Sequence, residues 1–320
     1  MASKNGHNKI VEYLVEHGAE VNVYDYLKRT PLFMASKNSH KKIVEYLVEH
    51  GAEVNVYDYL ESTPLLMASK NSHNKIVEYL VEHGAEVNGS GSWEGMPLCM
   101  ASENGHTKIV EYLVEHGAEV NGSGSLKRTP LCKASENGHN KIVEYLVEHG
   151  AEVNGSGSRE RIPLCMASEN GHIKIVEYLV EHGAEVNGSD SLKRTPLCMA
   201  SKNGHNKIVE YLVEHGAEVN VSDSWKWTPL CMASENGHAK IVEYLVEHGA
   251  EVNVSDSEDG TPLCMASKNG HIKIVEYLVE HGAEVNGSDS LKRTPLCMAS
   301  ENGHYIIVEY LVEHRLMVFL

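Results

Sequence analysis

Histidine and cysteine are the residues of this sequence that could do chemistry, since both bind metal ions and both act in catalysis. The 320-residue chain contains 20 histidines, and every one falls at either of two repeated positions, such as His40 and His50. Ten residues of helix span about 15 Å, too far for both rings to bind one metal ion. This spacing favours a structural role, and the second histidine ends a helix, where the dipole stabilises its charged form.

The seven cysteines repeat every 33 residues, from Cys99 to Cys297, without a CxxC spacing for zinc or redox chemistry. Neighbouring stacked helices lie about 8–10 Å apart, whereas a disulfide needs Cα atoms within about 7 Å. Two copies hold Phe33 and Leu66 at this position, which indicates packing. We therefore expect a column of buried, reduced thiols and a reducing compartment, either cytoplasmic or nuclear.

A 33-residue period positions all of these residues. The nine prolines follow it from Pro31 to Pro295, and the segment IVEYLVEH occurs ten times. A fixed period of this length predicts a solenoid, whose units bury their apolar faces against their neighbours. In most units a Thr-Pro pair predicts the start of a first helix. The apolar stripe of residues 40–50 predicts a second helix, which Gly51 ends.

These residues resemble the ankyrin repeat, on the period, on Thr-Pro-Leu at 195–197, on Gly204–His205 and on Gly-Ala-Glu-Val-Asn at 216–220. The resemblance implies an all-α, ankyrin-type solenoid of about nine full repeats plus a partial N-terminal repeat. The family favours glycine in the tip turn, two residues before the threonine, where this chain has Lys28, Glu61 or Asp259, so less regular tips are expected. The units predicted are 1–24 (partial), 25–57, 58–90, 91–123, 124–156, 157–189, 190–222, 223–255, 256–288 and 289–320, the last with a divergent tail.

The resemblance also implies that asparagines such as Asn55 are candidate substrates for β-hydroxylation, and the alternative is that their side chains fix the turn. The chain begins part-way through a first helix, and Arg315 stands where a glycine is expected. We interpret this as a piece of a longer array or as ends that associate.

Charge and repetition exclude several functions. The 28 basic and 45 acidic residues give a net charge of −17, which disfavours nucleic acids and anionic membranes as partners. We find no apolar signal-peptide core at the N-terminus and no apolar run of membrane-spanning length. Ten nearly identical copies offer no unique cleft, so we expect no enzyme, catalytic residue, cofactor, metal or small-molecule substrate.

The copies differ mainly in the turn before Thr-Pro-Leu, which we call the tip, and at one first-helix position that alternates between lysine and glutamate. Tips contact little, so they can vary and carry binding specificity. The hypothesis is a protein-interaction scaffold that binds partner proteins through its tips and the concave first-helix surface. The alternative is a mechanical or spacer array with no specific patch. The candidate partner-binding residues are Tyr24, Tyr26, Tyr57, Tyr59, Trp93, Arg128, Arg159, Arg161, Arg194, Trp225, Trp227 and Arg293.

Overall fold

Each copy begins its first helix at the proline, where the missing N–H costs no hydrogen bond. Thr30 caps this helix, because its Oγ1 accepts a hydrogen bond from the Phe33 N–H at 3.1 Å. Met96 and Ile162 replace the threonine in two copies and provide no side-chain cap.

The structure is a computed structural model that describes residues 1–89, 95–123, 128–155, 162–258 and 260–317.

The second helix of each copy follows a histidine and buries one apolar stripe. In the helix of residues Lys41–Glu49, Ile43, Val44 and Leu47 are buried. Gly51 then takes a left-handed conformation with φ 84°, which a glycine adopts without strain. The repeated sequence therefore produces a repeated pair of helices.

The chain divides into two compact units. Unit 1, Met1–Ser158, starts with a short 3₁₀ helix, Ser3–Asn5. Its first helices pack against one another in chain order, and each also packs against the second helix of its own copy. The helices of the described part of unit 1 are α1 (Asn8–Glu16), α2 (Pro31–Lys37), α3 (Lys41–Glu49), α4 (Pro64–Lys70), α5 (Asn74–Glu82), α6 (Pro97–Glu103), α7 (Thr107–Glu115), α8 (Pro130–Glu136) and α9 (Asn140–Glu148).

Unit 2, Arg159–Leu320, has the same arrangement of first and second helices. In both units the described residues form helix pairs joined by turns, which confirms the all-α repeat fold. The helices of the described part of unit 2 are α10 (Pro163–Glu169), α11 (Ile173–Glu181), α12 (Pro196–Asn203), α13 (Asn206–Glu214), α14 (Pro229–Asn236), α15 (Ala239–Glu247), α16 (Pro262–Asn269), α17 (Ile272–Glu280), α18 (Pro295–Glu301) and α19 (Tyr305–Met317).

Asparagine side chains join each copy to the following one. Asn220 Nδ2 donates to the Gly249 carbonyl at 3.0 Å, and its Oδ1 accepts from the Glu251 N–H at 2.9 Å. The asparagine thus fixes the turn of the following copy, 29 and 31 residues further on, rather than its own turn as we had expected. The same pair of bonds is made by Asn22, Asn55, Asn88, Asn121, Asn187 and Asn253.

Candidate functional site

The tips that the structure describes share one turn, built around an aspartate. Asp223 Oδ1 accepts hydrogen bonds from the N–H groups of Trp225 and Trp227, each at 2.9 Å. Lys226 between them has a left-handed backbone, with φ 60°, which ordinarily favours glycine. The described tips are therefore regular without that glycine, contrary to our expectation, because the aspartate holds the turn. The same bonds to the second and fourth residues after the aspartate are made by Asp25, Asp58, Asp190, Asp256 and Asp289.

Backbone hydrogen bonds connect successive tips within unit 2. The Ser224 N–H donates to the Leu192 carbonyl at 2.9 Å, and the Ser257 N–H donates to the Trp225 carbonyl at 2.9 Å. Variable residues of neighbouring copies therefore lie side by side, so that one partner can contact several tips at once.

The predicted arginines that the structure describes are engaged in ion pairs. Arg194 Nε and Nη2 donate to Asp190 Oδ2 at 2.9 and 2.6 Å. Arg293 forms the same pair with Asp289, at 2.7 Å. Arg128 Nη1 lies 2.8 Å from Glu136 Oε2. Their positive charges are neutralised on the chain itself, so a partner that binds these arginines must compete with these carboxylates.

Trp225 and Trp227 border a cavity of about 310 Å³, which we call the tryptophan cavity. The indole of Trp225 is 49% exposed, and Trp227 is partly buried. The buried Met199 of α12 and Met232 of α14 also line the cavity. The first helices therefore supply an apolar surface, and the tip adds two aromatic side chains that a partner can reach.

Four further lining residues of the tryptophan cavity carry charge: Arg194, Lys202, Asp223 and Glu235. Burial raises the pKa of Glu235, while the nearby Lys202 and Lys268 lower it. Lys202 and Glu235 occupy the first-helix position where lysine and glutamate alternate. The cavity therefore combines an apolar surface with charged groups of both signs.

The predicted tyrosines form a second exposed patch, in unit 1. Tyr26 is 88% exposed, and Tyr24, Tyr57 and Tyr59 are also exposed. Tyr24 and Tyr26 line a cavity of about 440 Å³, and Tyr24, Tyr57 and Tyr59 line another of about 770 Å³. Exposed aromatic side chains of this density are typical of surfaces that bind other proteins. The remaining candidates, Trp93, Arg159 and Arg161, lie outside the described residues.

The histidines connect and cap the helices. His238 Nε2 donates to the Lys202 carbonyl of the previous copy at 3.0 Å. His248 Nδ1 donates to the Tyr244 carbonyl at 2.7 Å, and its ring stacks on the tyrosine with centroids 3.9 Å apart. Because a carbonyl oxygen only accepts, the ring nitrogen carries the proton in both bonds. Throughout the described ranges, no three His, Cys, Asp or Glu side chains group closely enough to hold a metal ion.

All seven cysteines are free thiols, and six of them are buried, as predicted; Cys297 differs because it is exposed. Burial raises the pKa of the Cys165, Cys198 and Cys231 thiols. Such thiols remain protonated and unreactive. Cys297 lies on α18.

Five residues of the tryptophan cavity are absent from the predicted set: Met199, Lys202, Asp223, Met232 and Glu235. The methionines belong to the constant part of the repeat, so a comparison of copies could not select them. The sequence shows that the position of Lys202 and Glu235 alternates in charge. It does not show that this position lines the same cavity as the tip. Asp223 could have been found by its position, because six of the nine tips have an aspartate five residues before the threonine.

In the parts of the chain that the structure describes, no helix has both the length and the hydropathy needed to cross a membrane.

A family model described as ankyrin repeats (3 copies) matches five overlapping segments, residues 1–58, 57–124, 123–190, 164–256 and 254–318. Comparison with curated proteins found no match. Ankyrin repeats are in general protein–protein interaction modules, and proteins built from them are typically non-enzymatic scaffolds.

Proposed function

We propose that this chain, which belongs to the ankyrin repeat family, binds partner proteins through its tips and the first helices beside them. The observation that carries the proposal is the tryptophan cavity, because variable tip residues line it together with the first helices. Trp225 and Trp227 replace the leucine and arginine found at the same positions of the tip at 190–194. Large aromatic side chains at a partly open apolar cavity are typical of interface hot spots.

The exposed tyrosines of unit 1 form a second part of the proposed surface. Tyr24, Tyr26, Tyr57 and Tyr59 all lie in the first two tips of the chain, and the later copies have serine at both positions. Buried thiols suit a reducing environment, and we propose the cytoplasm or nucleus as the location of this interaction. No catalytic or cofactor-dependent step is part of this function.

Affinity purification with the full chain as bait tests the proposal. Trp225→Ala and Trp227→Ala should each remove a set of co-purified proteins, since central hot-spot residues contribute about 2 kcal/mol or more. Leu291→Ala is the matched control, because Leu291 occupies the position of Trp225 in another tip and is also exposed. Thermal unfolding of all three variants should match that of the parent chain.

The spacer alternative predicts a different result. If the chain serves only as a mechanical array, both tryptophan variants will capture the same proteins as the parent chain and the Leu291→Ala control. Such an outcome would remove the assignment of binding to this surface.

A further inference from the structure

In several tips the aspartate pairs with an arginine of its own turn. In the tip at 190–194, the outer oxygen Oδ2 of Asp190 accepts two hydrogen bonds from Arg194, at 2.9 and 2.6 Å. The tips that contain Asp25 and Asp289 form the same pair with Arg29 and Arg293. Hydrogen bonds from a guanidinium to a carboxylate are stronger than neutral ones, so the arginine satisfies the aspartate within the tip.

The tip with the two tryptophans lacks this arginine. Trp227 occupies the arginine position, and Asp223 is nevertheless only 7% exposed. Asp223 Oδ1 accepts the two backbone hydrogen bonds of the turn. Among the described residues, Asp223 has no ion-pair partner, so this buried carboxylate lacks the guanidinium that neutralises Asp190. A buried carboxylate gains most from a hydrogen-bonding cation, because burial has removed its water.

Two other described tips also lack the arginine, but their surroundings differ. Gly260 takes the place of the arginine in the tip of Asp256, and there the Met265 side chain packs over the glycine. Ser62 takes that place in the tip of Asp58, whose carboxylate is less buried than that of Asp223. The tip of Asp223 therefore combines a buried carboxylate that lacks the arginine with a cavity that two indoles line.

We infer that the tryptophan cavity binds an arginine side chain of a partner protein, with its guanidinium placed on Asp223 Oδ2. The inference rests on the proposed function and specifies the partner group at this surface. The partner's guanidinium takes the role that Arg194 has towards Asp190. Its flat face suits stacking on an indole, and the methionines accommodate the aliphatic part of the side chain.

The charges that line the cavity are compatible with a cation. Arg194 is already paired with Asp190, so its charge is neutralised locally. Of the other three, Asp223 and Glu235 are negative and Lys202 is positive. Lys202 is exposed, so its long side chain can keep its ammonium group in water. A carboxylate therefore remains in excess at the cavity.

Degenerate nonapeptide pools test this inference against the immobilised full chain. The central residue of each pool is fixed as arginine, lysine, citrulline or norleucine. Citrulline keeps the shape of arginine without its charge, and lysine keeps the charge without the planar group. We expect retention of the arginine pool to exceed that of the citrulline pool by about tenfold or more, and to exceed that of the lysine pool.

Three variants make the test specific to Asp223. Asp223→Asn keeps the oxygen that holds the turn but removes the charge, so it should abolish the preference for arginine. Trp227→Arg restores the arginine found in the tips of Asp190 and Asp289. It should also abolish the preference for arginine peptides, because the new arginine can pair with Asp223. Asp256→Asn removes the same charge from another tip and should leave the preference intact. Urea denaturation checks that each variant is folded.

Several results would overturn the inference. Equal retention of the arginine and citrulline pools, or an arginine preference that survives in both Asp223→Asn and Trp227→Arg, excludes an arginine site at Asp223. If the four pools are retained equally and all lose retention in Trp225→Ala, the surface binds peptides without a preference for arginine. The arginine site is then rejected, whereas the proposed function is supported. If no pool is retained, the arginine site is rejected, and the affinity purification decides the proposed function separately.

Discussion

Replacing Ser201 with alanine should stabilise the chain, although the same serine recurs in every copy of the repeat. Ser201 lies on α12, is fully buried and has no hydrogen-bond partner for its hydroxyl. Among the described residues, the same holds for the equivalent serine of seven other copies. These are Ser36, Ser69, Ser102, Ser135, Ser168, Ser234 and Ser267.

The expected gain follows from two terms. A buried polar group without a partner costs about 1–3 kcal/mol, which the substitution recovers. Alanine also has a higher helix propensity than serine, by less than about 0.7 kcal/mol. The lost oxygen leaves a small void that offsets part of this gain. We therefore expect the free energy of unfolding to rise by about 1 kcal/mol or more.

Ser300 provides the matched control. It occupies the same position in α18, but it is exposed, and its Oγ donates to the Leu296 carbonyl at 2.8 Å. Ser300→Ala gains the same helix propensity and loses a hydrogen bond worth about 0.5–1.5 kcal/mol, so its net effect should be near zero or destabilising. The difference between the two variants isolates the cost of the buried hydroxyl.

Native-state hydrogen exchange is the suitable assay, because a repeat array unfolds in parts and one melting temperature averages over them. For Ser201→Ala, amides of α12 should exchange about fivefold more slowly, the factor that corresponds to about 1 kcal/mol. Urea denaturation followed by circular dichroism should move in the same direction. An unchanged exchange rate at α12, or an equal slowing at α18 in Ser300→Ala, would refute the reasoning.

Three further predictions follow from the tips and thiols. Lys226→Gly should raise the free energy of unfolding in urea by about 1 kcal/mol, because lysine is strained at φ 60° and glycine is not. With a chromogenic disulfide reagent, exposed Cys297 should react at once, whereas buried Cys198 should react only as the chain unfolds. Hydrogen bonds from Arg29 lower the pKa of Asp25 from 3.8 to about 2. The folded tip is therefore stabilised above about pH 4, and this is lost as pH falls towards 2. A carboxyl titration by NMR should show the low pKa, and Arg29→Met should raise it towards the ordinary value.

The sequence alone predicted the helix pairs, because their signals are local: a capping threonine, a proline, an apolar stripe and a glycine lie within one copy. It did not predict the bonds between copies. Asn220 looked like a residue of its own turn, yet it bonds to Gly249 and Glu251 of the following copy. Such a partner depends on how copies stack, which a one-dimensional period does not specify.

The tips show the same limit. The absence of glycine predicted irregular turns, because lysine disfavours the left-handed backbone that Lys226 adopts. The hydrogen bonds that Asp223 accepts stabilise this backbone, and they depend on a geometry that the sequence does not specify. The exposure of Trp225 agrees with the expectation that the tips contact little. The ion pair between Arg194 and Asp190 was missed, because arginine in a variable turn also fits an interface.

One residue of the tip decides what its aspartate can do. Where that residue is arginine, as at Arg194, the carboxylate is satisfied inside the turn and the tip has little unbalanced charge to present. Where it is Trp227, the carboxylate stays buried without a guanidinium, and the indole widens the apolar wall beside it. A change at a single position of a copied unit therefore converts a self-contained turn into one that needs a cation from outside. Arg194 and Trp227 were both selected by comparing the copies, yet they have opposite consequences although they occupy the same position of the repeat.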